Sequence, residues 1–219
     1  RFGAATSWTD ILRADLPAAY NGLKAAAREI GGVQIQASGT IGGNLCTASP
    51  AGDSIPCLMT LNAAIELASR RGARRLPLNE FLTGPRQTAC APDELVTAVY
   101  VPSDAEMGVG GFEKLGARRY LVISIAMTAA RLSISDGRIG DAAISVGACA
   151  PVAVRLTELE AGLRGMACDM AGDFIRDSRS GIMAALSPID DVRGTAGYRR
   201  DAAAEIVARL VERLCGKFG

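Results

Sequence analysis

Alternating apolar and polar residues along the chain predict a mixture of short strands and helices. After Pro17, which suits the first position of a helix, residues 18–30 place their apolar side chains on one helical face. Residues 33–36 read Val, Gln, Ile, Gln, and this two-residue period predicts a strand. Other strands are predicted at 1–6, 64–68, 94–101, 112–115, in the latter part of 122–134 and at 139–147, and other helices at 55–61, 152–163, 170–186 and 201–218.

The order of these elements predicts an α+β fold in two units. In the second half of the chain strands come first and helices follow, which indicates an α+β fold rather than a doubly wound parallel sheet. Asp136-Gly137 predicts a hairpin, and the strands around it predict a three-stranded antiparallel sheet followed by a helical bundle. The polar, glycine-containing stretch 103–111 predicts a linker between a unit of residues 1–102 and a unit of residues 112–219.

Composition and charge narrow the classes of function. The 219 residues suffice for one large or two small domains, and 49% of them are hydrophobic, so the chain can bury a core. The net charge is +1, with 24 basic against 23 acidic residues. There is therefore no excess of basic residues of the kind that would indicate a nucleic acid partner. The apolar runs fall far short of a membrane span, and no membrane segment is predicted.

Cysteine and histidine bear on metal chemistry and on location. The chain has no histidine, which removes a common catalytic base and a common metal ligand. Its six cysteines form no C-x-x-C pair, so neither a zinc site nor an iron–sulfur site is predicted on this chain. Scattered cysteines in a chain of this size predict reduced, buried thiols and a cytoplasmic location.

Candidate binding chemistry is densest in residues 37–53, which read ASGTIGGNLCTASPAGD. Glycine tolerates positive φ, so Gly39, Gly42 and Gly43 are predicted to present consecutive N–H groups in a concave turn. Such a turn suits a phosphate or a carbonyl oxygen. Three polar side chains stand close by in the sequence: Asn44, Ser49 and Asp53.

Other interpretations of this stretch stay open on the residues alone. A Gly-Gly-Asn turn between apolar segments is most often only a turn. No Lys-Ser or Lys-Thr follows the glycines, which argues against a P-loop, and the glycine spacing argues against a dinucleotide fingerprint. Asp53 also stands where it could cap the helix predicted at 55–61.

Five segments carry a resemblance to one protein family. They are REIGGVQIQASGTIGGN at 28–44, GTIGGNLCTASPAGDSIP at 39–56, LNEFLTGPRQTACAPDELVTAVYVP at 78–102, GFEKLGARRYLVISIAM at 111–127 and SPIDDVRGTAGYRR at 187–200. In order and over nearly the whole chain they are similar to the FAD-binding medium subunit of the molybdenum hydroxylases, the family of xanthine dehydrogenase and aerobic carbon monoxide dehydrogenase.

The resemblance implies a fold, a cofactor and partners. It implies a second FAD-binding subdomain of the PCMH/VAO type followed by the flavoprotein C-terminal domain. The cofactor on this chain would be FAD, whose pyrophosphate needs N–H groups or positive charge and whose ring needs hydrogen bonds. The implied partners are a subunit with two-iron two-sulfur clusters, a molybdopterin subunit, and an electron acceptor such as NAD, oxygen or quinone.

The resemblance also implies which residues contact the cofactor. Lys114 matches a lysine that the family places beside the flavin, where a cation favours the reduced, anionic ring; without the family it would be a surface residue. Ile30 and Val96 match apolar contacts, although ordinary core packing is the simpler explanation of each. The arginines and Tyr198 of SPIDDVRGTAGYRR are expected to have only a structural or inter-subunit role. The implied FAD contacts are Ile30, Thr40, Ile41, Gly42, Gly43, Asn44, Ser49, Asp53, Val96 and Lys114, with no catalytic residue and no metal ligand.

One departure from the family concerns the start of the chain. The family has an earlier glycine-rich loop, similar to Ala-Gly-Gly-Thr-Asp-Leu, that also grips the pyrophosphate, and this sequence contains no such loop. The chain opens on Arg1 within a predicted strand. We therefore expect a fragment, a cleaved piece or one of several chains, which lacks the N-terminal FAD-binding segment and by itself binds FAD weakly or not at all.

Three functions follow from these observations. The first is an electron-transfer flavoprotein that passes electrons from iron–sulfur clusters on a partner chain through FAD to an external acceptor. The second is a scaffold that holds partner subunits without binding flavin. The third is an independent flavin reductase of related fold, such as the reductase of cell-wall precursor synthesis, which the C-terminal segments fit less well.

Overall fold

A computed structural model describes residues 1–216, and its first part is built around a four-stranded antiparallel sheet. The strands of this sheet are β1 (Phe2–Gly3), β2 (Ala64–Ser69), β3 (Gly72–Pro77) and β6 (Leu95–Tyr100), in the order β1-β6-β2-β3. A separate pair is formed by β4 (Leu82–Gly84) and β5 (Gln87–Thr88). The helices of this part are α1 (Trp8–Arg13), α2 (Asn21–Glu29), α3 (Val33–Ser38), α4 (Ile41–Thr47), α5 (Ser54–Thr60) and α6 (Leu78–Phe81), with a 3₁₀ helix at Ala18–Tyr20.

The second part contains another four-stranded antiparallel sheet. Its strands are β7 (Val109–Leu115), β8 (Ala126–Ser135), β9 (Arg138–Gly147) and β10 (Val154–Arg155), in the order β10-β9-β8-β7. Helices α7 (Thr157–Leu163), α8 (Ala171–Asp177), α9 (Arg179–Ala184) and α10 (Ala196–Cys215) follow. Since every strand pair among the described residues is antiparallel, the predicted α+β class is confirmed.

The prediction of three strands in the second sheet was wrong, because β10 is a fourth. Val154 and Arg155 pair with Val146 and Ser145 at the free edge of β9. The predicted helix over 152–163 had absorbed these residues, and α7 begins only at Thr157. A two-residue strand has no periodicity of its own, and only the neighbouring edge defines it.

The prediction of a strand at 33–36 was also wrong, because these residues belong to α3. Val33 and Ile35 are 75% and 54% exposed, so their alternation with glutamine does not mark a buried face of a sheet. The backbone N–H of Gly39 donates to the carbonyl of Ile35 and closes the helical turn. Four alternating residues are too few to separate a strand from a short exposed helix.

Several other boundaries moved. The stretch 103–111, expected to be a linker, forms a 3₁₀ helix at Ser103–Glu106 and supplies the first three residues of β7. The helix expected at 170–186 is divided into α8 and α9, and the last helix runs from Ala196 rather than from 201. Its predicted end at 217 and 218 lies outside the described residues.

The hairpin between β8 and β9 is confirmed. Asp136 and Gly137 have φ angles of 51° and 69°, the left-handed pair that a two-residue turn of type I′ requires. Ser135 and Arg138 face each other across it. The turn fixes the register of the two longest strands of the second sheet.

The second sheet separates two apolar cores. Along β8, Met127 and Ala129 belong to the core formed with α1, α2 and α5, whereas Ala130 and Leu132 belong to the core beneath α7 to α10. This is the two-residue alternation of a strand that is buried on both faces. The sheet is therefore covered by α2 and α5 on one face and by α10 on the other.

Close packing of α2 on β7 sets the position of the strand. A Cβ at Gly22 would lie 2.7 Å from the carbonyl oxygen of Gly111, so only glycine allows this approach. The contact fixes β7 against α2 and brings Lys114, farther along β7, toward Ile30 just beyond the end of α2.

Candidate functional site

The centre of the candidate site is a buried ion pair between Lys114 and Asp53. Lys114 Nζ donates to Asp53 Oδ2 at 2.6 Å, and the two side chains are only 8% and 7% exposed. The hydroxyl of Ser124 donates to the other carboxylate oxygen, Asp53 Oδ1, also at 2.6 Å. Both oxygens of Asp53 are thereby held, which gives the carboxylate and the ammonium one fixed geometry.

Asp53 stands at the N-cap position of α5, but its side chain makes no capping hydrogen bond. The carboxylate instead accepts hydrogen bonds from Lys114 on β7 and from Ser124 in the loop before β8. The expectation of an ordinary helix cap is therefore not what the structure shows. The residue forgoes the usual cap, which stabilises a helix by about 1 kcal/mol, and makes a tertiary contact instead.

Burial dominates the titration of Asp53. Removal of the carboxyl from water raises its pKa above its usual value, and the Lys114 ammonium and the Ser124 hydroxyl offset this only in part. Two opposite charges at this depth lose much of their hydration, and each depends on the other for compensation. A change in the charge of Lys114 therefore changes the pKa of Asp53.

A cleft of about 400 Å³ opens beside this pair. One wall comes from the segment before α5 and the facing wall from the loop after β7, which carries Leu121, Val122 and Ile123. Leu121 and Ile123 are 58% and 65% exposed. Five of the predicted contact residues meet in this cleft: Ile30, Asn44, Ser49, Asp53 and Lys114.

A second cleft of about 370 Å³ lies beside the first. Lys114 and Glu29 line both clefts, and Arg118 and Arg119 of the loop after β7 line only the second. A molecule larger than either cleft could therefore contact Lys114 while extending toward two arginines. Among the site residues, Glu29, Ser124 and Leu121 were not predicted; the one detectable signal was a serine within the apolar run 122–134.

The predicted glycine turn is the first turn of α4. Thr40 is the N-cap, and its hydroxyl accepts a hydrogen bond from the Gly43 N–H at 3.0 Å. The N–H groups of Ile41, Gly42 and Asn44 donate to the carbonyls of Thr6, Ala4 and Thr40. The expectation of positive φ and of open N–H groups at Gly39, Gly42 and Gly43 was therefore wrong, because helix formation and contacts with residues 4–6 use these donors.

The glycines of this turn serve close packing rather than unusual dihedrals. A Cβ at Gly42 would lie 2.7 Å from the carbonyl oxygen of Ala4, whereas Gly43 is exposed and a Cβ there would meet only Thr40 Oγ1, at 3.0 Å. Asn44 accepts a hydrogen bond from the Ser54 hydroxyl at 2.7 Å, which ties α4 to α5. Val96 lies on β6 opposite Leu67 and packs against the first core; it does not line the cleft.

This set of residues fits one part of FAD better than the other. A rigid ring with polar edges suits a cleft that has a fixed lysine–carboxylate pair on one side and Ile30 with Leu121, Val122 and Ile123 on the other. For the pyrophosphate, α4 offers the Thr40 and Asn44 side chains and the exposed surface at Gly43. Its N–H groups are already bonded within the protein.

Comparisons with known proteins identify the family to which the chain belongs. Residues 1–104 match the family model of the FAD binding domain in molybdopterin dehydrogenase, and residues 112–214 match that of the CO dehydrogenase flavoprotein C-terminal domain. The chain is 32% identical, over 213 residues, to the nicotine 6-hydroxylase medium subunit of Paenarthrobacter nicotinovorans, covering 96% of this chain and 73% of that protein. The chain belongs to the FAD-binding medium subunits of the molybdenum hydroxylase family.

A second sequence relative and a solved structure support the same family. The carbon monoxide dehydrogenase medium chain of Afipia carboxidovorans is 31% identical, covering 94% of this chain and 69% of that one. The structure of reconstituted CO dehydrogenase from Oligotropha carboxidovorans superposes with a TM-score of 0.84 at 30% identity, over 97% of this chain and 74% of that one. The subunit is therefore part of an oxidoreductase, and its fold is a FAD-binding domain followed by a flavoprotein C-terminal domain.

No helix in residues 1–216 is both long and apolar enough to cross a membrane.

Proposed function

We propose that this subunit holds FAD in the cleft beside Lys114 and passes electrons from iron–sulfur clusters on a partner chain to an external acceptor. The observation that carries the proposal is the buried Lys114–Asp53 pair, which joins two family segments at the edge of one cleft. When bound, FAD exchanges electrons singly or in pairs, which suits it to link iron–sulfur clusters to a two-electron acceptor.

The role proposed for Lys114 is to orient and polarise. Asp53 fixes the ammonium by one N–H, which leaves its other N–H groups for the polar edge of the ring. Because Asp53 balances the charge of Lys114, the pair presents a directed dipole rather than a free cation. The apolar side chains of Ile30 and of Leu121 to Ile123 would exclude water from the ring face.

The other proposed contacts have different roles. Thr40, Gly43, Asn44 and Ser49 would face the phosphate-bearing part of FAD, since they lie at the exposed or half-buried surface of α4 and the segment after it. Ile41 and Gly42 are buried and would act by shaping the turn. Val96 keeps its proposed apolar contact only through the family resemblance, because its position on β6 is also that of a core residue.

The partners and location are part of the same proposal. The partner chains are a subunit with two-iron two-sulfur clusters and a molybdopterin subunit, and the acceptor is NAD, oxygen or quinone. Relatives named for nicotine and for carbon monoxide support such an assembly. A cytoplasmic location is supported by the six free cysteines.

We further propose that the chain divides into a FAD-binding subdomain of the PCMH/VAO type, residues 1–102, and a flavoprotein C-terminal domain, residues 112–219, on either side of 103–111. The division is supported by two family models, of which the first ends at residue 104 and the second begins at residue 112. The two units would be packed closely, because Phe112 and Met127 contribute to the first core.

A second candidate is a scaffold subunit that holds its partners without binding flavin. The observation that favours it is the internal bonding of the N–H groups of Ile41, Gly42, Gly43 and Asn44, which leaves α4 without free backbone donors for a pyrophosphate. The two candidates differ in whether the purified complex contains FAD.

The experiment is the visible absorption spectrum of the purified complex that contains this chain. Flavin bands are expected in the wild type, and Lys114→Met is expected to change their position or intensity and to lower the FAD content. Lys24→Met is the matched control, because Lys24 binds the carbonyl of Ala14 and lines neither cleft. A complex without flavin would support the scaffold instead.

A further inference from the structure

We propose that Arg193 and Arg199, joined by Asp191, are positioning residues that hold the two walls of the FAD cleft in register. The inference rests on the proposed function and deepens it. None of these three residues lines the cleft, and no FAD contact is assigned to them. Two sets of hydrogen bonds link the arginines to the cleft walls. One set reaches the carbonyl of Ser124, and the other reaches the carbonyl of Ile125 and, through Ala148, Pro50.

The first set fixes Ser124. Arg193 binds Asp191 through two nitrogens, with Nη2 2.6 Å from Oδ2 and Nε 3.0 Å from the same oxygen. The remaining terminal nitrogen, Nη1, donates to the carbonyl oxygen of Ser124 at 3.0 Å. Because the guanidinium is planar and Asp191 holds one edge of it, the direction of its bond to Ser124 is fixed.

The bond to the Ser124 carbonyl leads directly to the ion pair. The hydroxyl of the same residue donates to Asp53, and Asp53 holds Lys114. A shift of the Ser124 backbone therefore moves its hydroxyl relative to Asp53 and changes the support of the Lys114 ammonium. The path from Arg193 to Lys114 runs entirely through charged or strongly polar contacts between 2.6 and 3.0 Å.

The second set is made by Arg199, which is 1% exposed. Its Nε donates to the carbonyl of Ile125 at 3.1 Å, and its Nη2 donates to the carbonyl of Ala148. The N–H of Ala148 in turn donates to the carbonyl of Pro50 at 2.8 Å. Ala148 has a φ of 62°, a conformation that costs a non-glycine residue free energy and needs external support.

Arg199 is thereby linked to both walls of the cleft, directly at Ile125 and through Ala148 at Pro50. Ile125 follows the loop that carries Leu121 to Ile123, and Pro50 follows Ser49 in the facing segment. Arg199 also approaches Asp191 Oδ2 at 3.3 Å, so one carboxylate joins both arginines. The width of the cleft is therefore set by a rigid group of three charged side chains at its back.

The rest of the motif builds the support for this group. Gly194 has a φ of 151°, and the backbone groups of Asp191 and Gly194 exchange two hydrogen bonds to close a tight loop. Thr195 is the N-cap of α10, and its hydroxyl accepts from the Tyr198 N–H. The motif DDVRGTAGYRR thus begins a 20-residue helix and also carries Arg193 and Arg199, the two arginines that support the cleft.

The test is made on the purified complex with Arg193→Met, which keeps much of the side-chain length and removes the bond to Ser124. We expect the apparent dissociation constant of FAD to rise about tenfold, on the scale of one charged hydrogen bond. We also expect the visible circular dichroism of the bound flavin to change, which reports the ring environment and not global stability. Arg193→Lys, which keeps the charge, should recover part of the spectrum.

Ser124→Ala tests the route of the effect. If Arg193 acts through Ser124, then Arg193→Met combined with Ser124→Ala should weaken FAD binding no more than the stronger of the two single changes. The control is Arg200→Met, since Arg200 binds the carbonyl of Leu186 and touches neither wall. It should leave both the dissociation constant and the flavin spectrum unchanged.

The outcomes separate this inference from the proposed function. An unaltered flavin spectrum and affinity in Arg193→Met, with altered values in Lys114→Met, would overturn the positioning role and leave the FAD site standing. Unaltered values in both variants would overturn the site itself. Additive losses in the double variant would show that Arg193 acts by a route other than Ser124 and would also overturn the inference.

Discussion

Lys114 and Asp53 are 61 positions apart in the sequence, and their charged groups are 2.6 Å apart in the structure. Lys114 comes from β7 in the second sheet, and Asp53 comes from the N-cap position of α5, which packs on that sheet. The Asp53 side chain does not cap α5 and forms a tertiary ion pair instead. The pair ties together the two parts of the chain at the cleft.

Removal of the lysine charge should destabilise the subunit in a pH-dependent way. Lys114→Met leaves the Asp53 carboxylate buried without its cation, a change that typically costs about 3 kcal/mol. Burial raises the pKa of Asp53 and Lys114 lowers it, so in Lys114→Met this pKa rises further, and the folded variant holds a proton on Asp53 at pH values where the wild type and the unfolded chain have lost it. Stability then falls as pH rises, so the loss should be larger at about pH 8 than at about pH 5.

Denaturant unfolding of the wild type and of Lys114→Met at both pH values measures this. The double variant Lys114→Met with Asp53→Asn carries no buried charge at the pair and should recover part of the lost stability at the higher pH. An equal loss at both pH values would show that Asp53 does not take up the proton.

Two adjacent glycines of α4 should respond differently to substitution. Gly42→Ala forces a Cβ against the carbonyl of Ala4 and should lower the free energy of unfolding by about 1–3 kcal/mol. Gly43→Val places its side chain at an exposed position, where a Cβ meets only Thr40 Oγ1 at 3.0 Å, and should cost less stability than Gly42→Ala while it lowers the FAD content of the complex. Thermal unfolding and flavin absorbance, measured on the same samples, separate the two effects; full flavin content in Gly43→Val would remove α4 from the FAD site.

The six cysteines should titrate as free thiols. No disulfide links them, and unfolding in denaturant without a reductant should release six reactive thiols to a thiol reagent. In the folded protein three of them should react slowly, because burial raises the pKa of Cys57 well above its usual value, that of Cys149 to about 11 and that of Cys215 to about 12. A count of four or fewer in freshly prepared, unfolded protein would contradict this prediction.

Asp191 should contribute stability that disappears in acid. Its hydrogen bonds from Arg193 lower the pKa of this carboxyl to about 2 in the folded protein, below its ordinary value of 3.8. The folded state therefore binds fewer protons than the unfolded state between these values, and stability is present above about pH 4 and is lost as pH falls through about 2. Asp191→Asn should flatten the decline in an acid unfolding series; parallel declines in the two proteins would contradict the prediction.

The local sequence pattern predicted most of the helices and strands but missed a short exposed helix and an edge strand. The Asp136-Gly137 hairpin, the helix over 55–61 and the strand over 64–68 all depend on residues within a few positions of each other, and they were found. The helix at Val33–Ser38 was missed because exposed alternation in four residues has no unique interpretation. The edge strand at Val154–Arg155 was missed because pairing with β9 defines it.

The sequence by itself determined the family, the α+β class and the residue types available at the site, because motif order and short-range periodicity are written in the chain. The tertiary structure decided which of them meet: Ile30, Asn44, Ser49, Asp53 and Lys114 come together, whereas the N–H groups of α4 are used internally. It also showed that Arg193 and Arg199, which were expected to have only a structural or inter-subunit role, donate hydrogen bonds to the carbonyls of Ser124 and Ile125. Hydrogen bonds of buried and half-buried charged groups join residues 61 to 74 positions apart, and no local pattern records such a distance.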